Sequence, residues 1–478
     1  MPLRLPALSL LLSLIAVSGI AAEPAFLRLM VRPEVRHQTI EGFGSSINAW
    51  TAPHYQLYYN DAFTEFAANE LGMSIFRLQM WGGVSPHEIT DPREIRYQDF
   101  RWTGEGLRGK MNVDWARRLV AVNPEVRIIG SIWSAPAWMK VNGSRTGTRA
   151  GYLHDPKRDY DHDNRLRDDR YEHFAQWVVE WARYMESQGT PFYAISLQNE
   201  LVFTQWFEST LYTPEQYARL VRITGERFEA EGVRKPLFFG PEDMTMATYR
   251  DEQRHRPFID ALLQPDVAKY FDVFATHGYS DGVRGDGRNT PVGYWESVKS
   301  FGRPYWITEG GTGRHTWPSP VARGVGPQLH VALTRANVSL FTGWQLTSNP
   351  GRASEHDFMD WDQPTKKTYT AMHFWRHIRP GAVRVEVEVE ESSGLLASAY
   401  VHDRRGERVL VVLNPQAEDR TIQLDWPESG GGSWQAFQTS ERLSHEAVVV
   451  QAAANGTLEL TLPGHSITTV IQAKPKGE

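Results

Sequence analysis

The chain contains no cysteine among its 478 residues. That absence removes disulfide bracing, a cysteine nucleophile, thiolate zinc sites and iron–sulfur clusters. A one-sided charge is missing too: Lys plus Arg is 51 and Asp plus Glu is 57, a formal net charge of −6. That balance gives no pull toward nucleic acid or an anionic membrane. After the N-terminus no run is apolar enough to span a bilayer. The His-Glu-x-x-His zinc pattern, the Walker loop and the dinucleotide fingerprint do not occur. Aromatics, by contrast, are plentiful: 17 Trp, 18 Tyr and 21 Phe exceed ordinary core needs. Such a supply of flat amphipathic rings fits a cleft that stacks on flat apolar faces such as sugar rings.

Arg4 precedes an apolar run from Leu8 to Ile20, followed by Ala21 and Ala22 before Glu23. A positive start, a short apolar stretch and a small-residue end predict a secretory signal over residues 1–22, with the mature protein exported. The signal has a bacterial look, which places the product in the periplasm or outside the cell and leaves the sequons at Asn142, Asn337 and Asn455 unused. Asp159, Asp161, Asp163 and Asn164 mimic the start of a calcium loop. The Gly at loop position six and the Glu at position twelve are absent, so the stretch is read as a solvated loop.

Two regimes follow. From about residue 39 to 375, short β-type runs alternate with longer helical patterns, the mark of parallel βα units. The runs are Thr39–Gly44, Ile75–Leu78, Arg127–Ile132, Phe192–Leu197, Leu237–Gly240, Val273–Thr276, Tyr305–Thr308 and Gly343–Leu346. Eight of them over about three hundred residues predict an α/β fold, a (β/α)8 TIM barrel. Phe174, Trp177, Val178, Trp181 and Met185 recur at helical spacing and are expected to face the core. After Pro380-Gly381 the period becomes two, with Val383, Val385, Val387 and Val389 alternating with charged residues. An attached all-β sandwich of about a hundred residues is expected there. The predicted organisation is a signal at 1–22, an N-terminal strand at 23–37 joining the sandwich, the barrel at 38–380 and the sandwich at 381–478.

In such barrels the reacting groups project from the C-terminal ends of strands. The fourth strand runs into Gln198-Asn199-Glu200 and the seventh into Glu309-Gly310-Gly311. Strands four and seven face one another over the barrel axis, so the two carboxylates can stand about 5 Å apart, the separation of retaining glycoside hydrolysis. The bland alternative is that each Glu caps a following helix. Asn199 is placed to bond a sugar 2-hydroxyl, and Arg77 to sit beside Glu309 and hold it ionised. His277 and Tyr279, after strand six, are candidates to bond the nucleophile or the substrate, or to be rim packing. Trp133, Trp138 and Trp344 lie at or after strand ends as a ring floor, though each also fits an ordinary core.

The segments Glu41-Gly42-Phe43-Gly44-Ser45-Ser46, Ser134-Ala135-Pro136-Ala137-Trp138-Met139-Lys140, Ser196-Leu197-Gln198-Asn199-Glu200 and Thr308-Glu309-Gly310 resemble glycoside hydrolase family 30. So do the passage Phe374–Ala382 and the ending Leu462–Thr469. The resemblance covers roughly residues 35 to 475. It implies a barrel with an attached sandwich, and a retaining double displacement with Glu200 as acid/base and Glu309 as nucleophile. It also implies no cofactor, and the site is expected to hold no metal. The expected activity is that of a secreted β-glycoside hydrolase, an endo-acting xylanase-type hemicellulase on polysaccharide or oligosaccharide, monomeric, with no nucleic-acid or membrane partner. Alternatives are an endo-β-1,6-galactanase or β-1,6-glucanase, an exo-acting β-glucosidase or β-xylosidase, and a carbohydrate-binding protein on an inactive barrel. The loop after strand eight carries Arg352 but lacks the flanking tyrosines with which the family's glucuronoxylanases grip a uronate.

Overall fold

Parallel strands that are apolar on both faces need cover on both sides, and a ring of them needs no edge. In the computed structural model β2 (Gly42–Ser45), β3 (Ile75–Met80), β4 (Arg127–Ile132), β5 (Phe192–Ser196), β6 (Leu237–Met244), β7 (Val273–Gly278), β8 (Tyr305–Gly310) and β9 (Leu340–Gly343) close into a parallel barrel. They follow β1 (Leu27–Thr39), which lies outside the barrel. The structure describes residues 26–472 except 48–51, 148–150, 153–162, 245–254, 280–290, 349, 428–432 and 453–456. The proposed signal, Asp159, Asp161 and the sequon at Asn455 therefore lie outside the described residues.

Ile75, Ile129, Ala194, Phe239, Val273, Ala275, Trp306 and Leu340 form a separate buried cluster contributed by seven of the eight barrel strands, β3 to β9. The opening Glu41-Gly42-Phe43-Gly44 is structural. Glu41 accepts from Tyr193, Trp306 and Ser339, and a Cβ on Gly44 would lie 1.7 Å from the Ile75 carbonyl oxygen. Helix α1 (Tyr171–Ser187) buries Phe174, Trp177, Val178, Trp181 and Met185. Helix α2 (Pro214–Ala230) starts on a capping box in which Thr213 and Gln216 satisfy each other's backbone N–H groups. The eighth barrel strand differs from the sequence reading. It spans Leu340–Gly343, not Gly343–Leu346, because Leu340 and Phe341 pair with Trp306 and Ile307 on one side and Gly42 and Phe43 on the other. The ring of Phe358 packs against Gly343, and the chain leaves the sheet there.

Apart from two short ribbons, Gly151–Tyr152 with Phe203–Thr204 and Met359–Asp360 with Gln363–Pro364, the other strands are β10 (Val383–Val389), β11 (Leu396–His402), β12 (Glu407–Asn414), β13 (Arg420–Asp425), β14 (Trp434–Thr439), β15 (Ser444–Val448), β16 (Gln451–Ala452), β17 (Leu458–Leu462) and β18 (Ser466–Gln472). Together with β1 they form a ten-stranded sheet ordered β15-β14-β18-β12-β11-β10-β1-β13-β17-β16. Strand β1 is central: Val31 opposes Val387 in antiparallel β10, and Leu29 opposes Leu424 in parallel β13. Leu29, Val31, Val385, Leu410, Val412, Ile422, Leu460 and Val470 share one core within this sheet. Its other face meets the barrel. Tyr400, Val409, Val411, Leu413 and Ile467 belong to the same buried cluster as the barrel helices. On helix α3 (Lys366–Trp375), the His373 ring bonds Thr469 and Thr439 at 2.8 and 2.9 Å. Lys366 Nζ donates to the carbonyls of Ser440 and Leu443 at 2.7 Å.

Candidate active site

Strands β5 and β8 each deliver one carboxylate to the C-terminal rim. Glu309 is itself the fifth residue of β8, and Glu200 lies four residues past the end of β5. The backbone of Glu200 is left-handed, with φ +49°, and its N–H donates to the Glu242 carbonyl at 3.2 Å. A non-glycine residue held there is strained, and such strain is found where a side chain must be aimed. An oxygen of Glu200, an oxygen of Glu309 and a ring nitrogen of His277 all lie within 4.8 Å of one another. His277 Nδ1 is 3.1 Å from Glu200 Oε1 and 3.3 Å from Glu309 Oε2. The Tyr279 hydroxyl donates to Glu309 Oε2 at 2.5 Å, and Arg77 Nη1 donates to Glu309 Oε1 at 2.7 Å.

The same guanidinium reaches Asn199: Nη2 donates to its Oδ1 at 2.7 Å. Asn199, Arg77, His277 and Tyr279 are thus brought to the two carboxylates. A third acid joins them that the sequence reading missed. Glu242 Oε1 accepts from Arg77 Nη2 at 3.1 Å and from Ser131 Oγ at 3.1 Å, and both charges are fully buried. It lies inside β6, two residues beyond Leu237–Gly240, the run read as the fifth strand. The signal was available in Gly240-Pro241-Glu242-Asp243, an acid pair at a strand end. Proline is uncommon inside a central strand, yet this one continues through Pro241 to Met244.

Two of the tryptophans pack together. Trp133 is buried beneath Arg77, 4.7 Å from ring centre to guanidinium carbon, with Trp344 5.7 Å away on its other side. Trp138 has other neighbours: its ring meets His173 of α1 edge-on and Arg170 at 5.8 Å. The Ala137–Met139 turn carries it outward onto helix α1. Arg352 is exposed. Asn164, read as part of a solvated loop, is instead fully buried, bonding Lys140, Thr204 and Ser209.

The charges in the cluster decide its chemistry. Burial works to push Glu242 up, but the charge of Arg77 and then the proximity of His277 outweigh it and hold the acid at about 2. Burial works to lower His277; the charge of Glu309, the bond to Glu200 and the nearby Glu242 outweigh it and lift the imidazole to about 10. For Glu309 the expectation needs correction. Arg77 and His277 do pull its carboxyl down, but burial is the larger effect and, with the Glu200 charge beside it, the carboxyl sits above its ordinary value. Among the described residues, Glu200, His277 and Glu309 are the group whose geometry could receive a metal ion. An ion there would have to displace the proton that His277 holds and stand beside Arg77, so the donor set fits a proton better than a metal.

Residues 381–470 match the glycosyl hydrolase family 30 beta sandwich domain. A glucuronoxylanase of Bacillus subtilis is 23% identical over 449 residues, covering 91% of this chain and 89% of that one. The lysosomal acid glucosylceramidase of Mus musculus is 24% identical, covering 84% and 80%. In fold, a family 30 subfamily 8 xylanase from Clostridium acetobutylicum superposes with a TM-score of 0.71 at 20% identity, covering 93% of this chain and 99% of that one. The chain is a glycosyl hydrolase. It is similar to glycoside hydrolase family 30 through its sandwich domain and, in fold, along most of its length.

Proposed function

We propose that the protein is an exported retaining β-glycanase that cleaves a β-linked polysaccharide, most simply a xylan, by double displacement. The observation that carries this reading is the pair of facing carboxylates, with one oxygen of each inside the same 4.8 Å sphere of contacts. Retaining enzymes need about 5 Å between the two groups, whereas inverting ones leave room for a water at about 6.5–9.5 Å. The charge count supports the division of roles. With Arg77 and His277 positive and Glu242 negative, one further negative charge neutralises the cluster, so the Glu200–Glu309 pair keeps a single proton. Glu309 receives Arg77 and Tyr279, while Glu200 has His277 and a long contact from Gln205 at 3.5 Å. The donors that Glu309 accepts from suit it to the nucleophile's role and leave Glu200 for that of the acid/base.

Glu309 Oε2 then attacks the anomeric carbon as Glu200 protonates the departing oxygen. In the second half Glu200 takes a proton from water, which attacks the same carbon and releases Glu309. Arg77 and Asn199 orient the site, Asn199 toward the sugar 2-hydroxyl. Substituting either Glu by Ala is expected to lower turnover by at least about 10²–10⁴-fold. On an aryl glycoside with a good leaving group, azide restores Glu200→Ala and yields a β-glycosyl azide. Rescue of neither variant, or of the opposite one, sinks the assignment. A panel of xylan, β-1,6-glucan and β-1,6-galactan, with the products sized, identifies the polymer. Ladders of oligomers mean endo action; monosaccharide alone means exo action.

A further inference from the structure

Beside the carboxylates runs a groove of about 640 Å³ whose walls include Trp81, Leu107, Arg108, Trp206 and Phe207. Trp206 is 68% exposed, the only exposed tryptophan among the described residues, and Leu107 in the same groove is also exposed. An indole left in water needs an explanation, because apolar area this large is favoured under cover. Its backbone is not loose. Gln205 N–H bonds Ser209 Oγ at 3.0 Å, the Gln205 carbonyl accepts from Gly147, and Ser209 N–H bonds the Arg145 carbonyl at 3.0 Å. Glu208 accepts from Gly82 N–H at 2.7 Å and pairs with Arg145. Beneath, buried Lys140 donates to Asn164 Oδ1 and the Ser209 carbonyl, both at 2.6 Å. A turn braced on three sides thus presents one flat ring outward.

Two of its walls are tied to the reaction centre by side-chain contacts. On one wall the ring of Trp81 stacks on Trp133 at 5.6 Å, and Trp133 underlies Arg77. On the other, the residue before Trp206 is Gln205, whose amide reaches Glu200 Oε2. We propose that this groove is a distal sugar subsite, in which a pyranose further along the glycan that is cut stacks on Trp206. Pre-paid ordering of the turn makes such a platform effective, since little freedom is lost when the sugar arrives. Arg108, exposed and 5.8 Å over the Trp81 ring, offers donors to the sugar hydroxyls from the opposite wall. This deepens the proposed glycanase activity and rests on it for the identity of the ligand. The consequence is that binding grows with chain length, and that the growth depends on Trp206.

The test separates binding from turnover. The full chain carrying Glu309→Gln is run in native gels containing soluble xylan, β-1,6-glucan or β-1,6-galactan, with and without Trp206→Ala. Retardation by at least one polymer is expected, with the apparent affinity falling about tenfold in the Trp206→Ala chain, the worth of one aromatic stacking contact, and largely kept in Trp206→Phe. In the active chain, Trp206→Ala is expected to reduce kcat/KM on the retarding polymer while leaving an aryl monoglycoside untouched. Retardation that does not depend on Trp206, no retardation in any gel, or an equal loss on polymer and monoglycoside would overturn the subsite. If Trp206-dependent retardation persists while the unsubstituted chain cleaves nothing, the subsite stands and the hydrolytic reading falls.

Discussion

Glu242 shows how much one buried carboxylate can govern without touching a substrate. It shares Arg77 with Glu309 and lies 3.9 Å from His277 Nε2, so its charge is felt by every group in the cluster. Glu242→Gln keeps the shape but removes that negative charge. Losing it makes ionisation of Glu309 easier, because fewer negative charges remain to repel it. Under the proposed roles activity rises as Glu309 ionises. That acid limb is therefore expected to move to lower pH, with His277 also less basic. A pH–rate series on Glu242→Gln checks this. A profile moved to higher pH, or one merely lowered in height, contradicts it. Arg77→Lys is expected to fare badly for a different reason. A single ammonium cannot serve Glu309, Glu242 and Asn199 through one planar fork.

At the scale of the element, helix α3 and the residues just after it clasp the sandwich through histidines. His377 Nε2 lies 2.8 Å from His445 Nε2, and the His377, His445 and Phe437 rings stack. Burial lowers His373 and His377 well below the ordinary imidazole value, and lowers His445 to about 4. Arg376 and Arg379 add repulsion to protonated His377, as Arg376 does for His445; Lys366, Lys367 and Glu446 are the other charged residues of α3 and β15. The sign follows directly. These histidines are neutral when folded, and the unfolded chain takes up protons first as pH falls through about 6.5. Their contribution is complete above that pH and is lost progressively toward pH 4. Melting is expected at lower temperature at pH 4.5 than at pH 7. The gap should shrink by about 2 °C or more in His377→Gln, which keeps a hydrogen-bonding partner for His445 but cannot titrate. An unchanged gap by calorimetry refutes the role.

For the whole molecule the sandwich is a structural part of the barrel. Strand β1 enters the sheet before the barrel begins, and β10 enters it after the barrel ends, so both ends of the barrel chain are sewn into one sheet. Gly381 N–H bonds the Ile40 carbonyl at 2.8 Å at the seam. Arg379 and Arg405, from either side of that seam, share Glu125. Expressing residues 38–380 alone removes Tyr400, Val409, Val411, Leu413 and Ile467 from the common core. Against a net stability of about 5–15 kcal/mol, uncovering such a face is a large loss. The expected product is insoluble or lacks a cooperative transition. A soluble, cooperatively melting and fully active barrel contradicts this.

The alternation of β-type runs with helices determined the barrel, and period two after Gly381 determined the second sheet, because each reflects which side chains must leave water. The carboxylate pair was legible for a related reason: an apolar strand running into Glu is a local pattern, and barrel topology sends every such end to one rim. Trp138 has the same local look as Trp133, and nothing along the chain separates a ring under Arg77 from one on the outer helix. Glu242 could be noticed as an acid at a strand end, but its ion pair with Arg77, 165 residues away, was decided by the tertiary structure. The direction of the Glu309 shift was decided by tertiary structure as well. Opposed effects of burial, two cations and a neighbouring acid are summed only when all of them are assembled in one place, and a sequence lists charges without their distances or their depth.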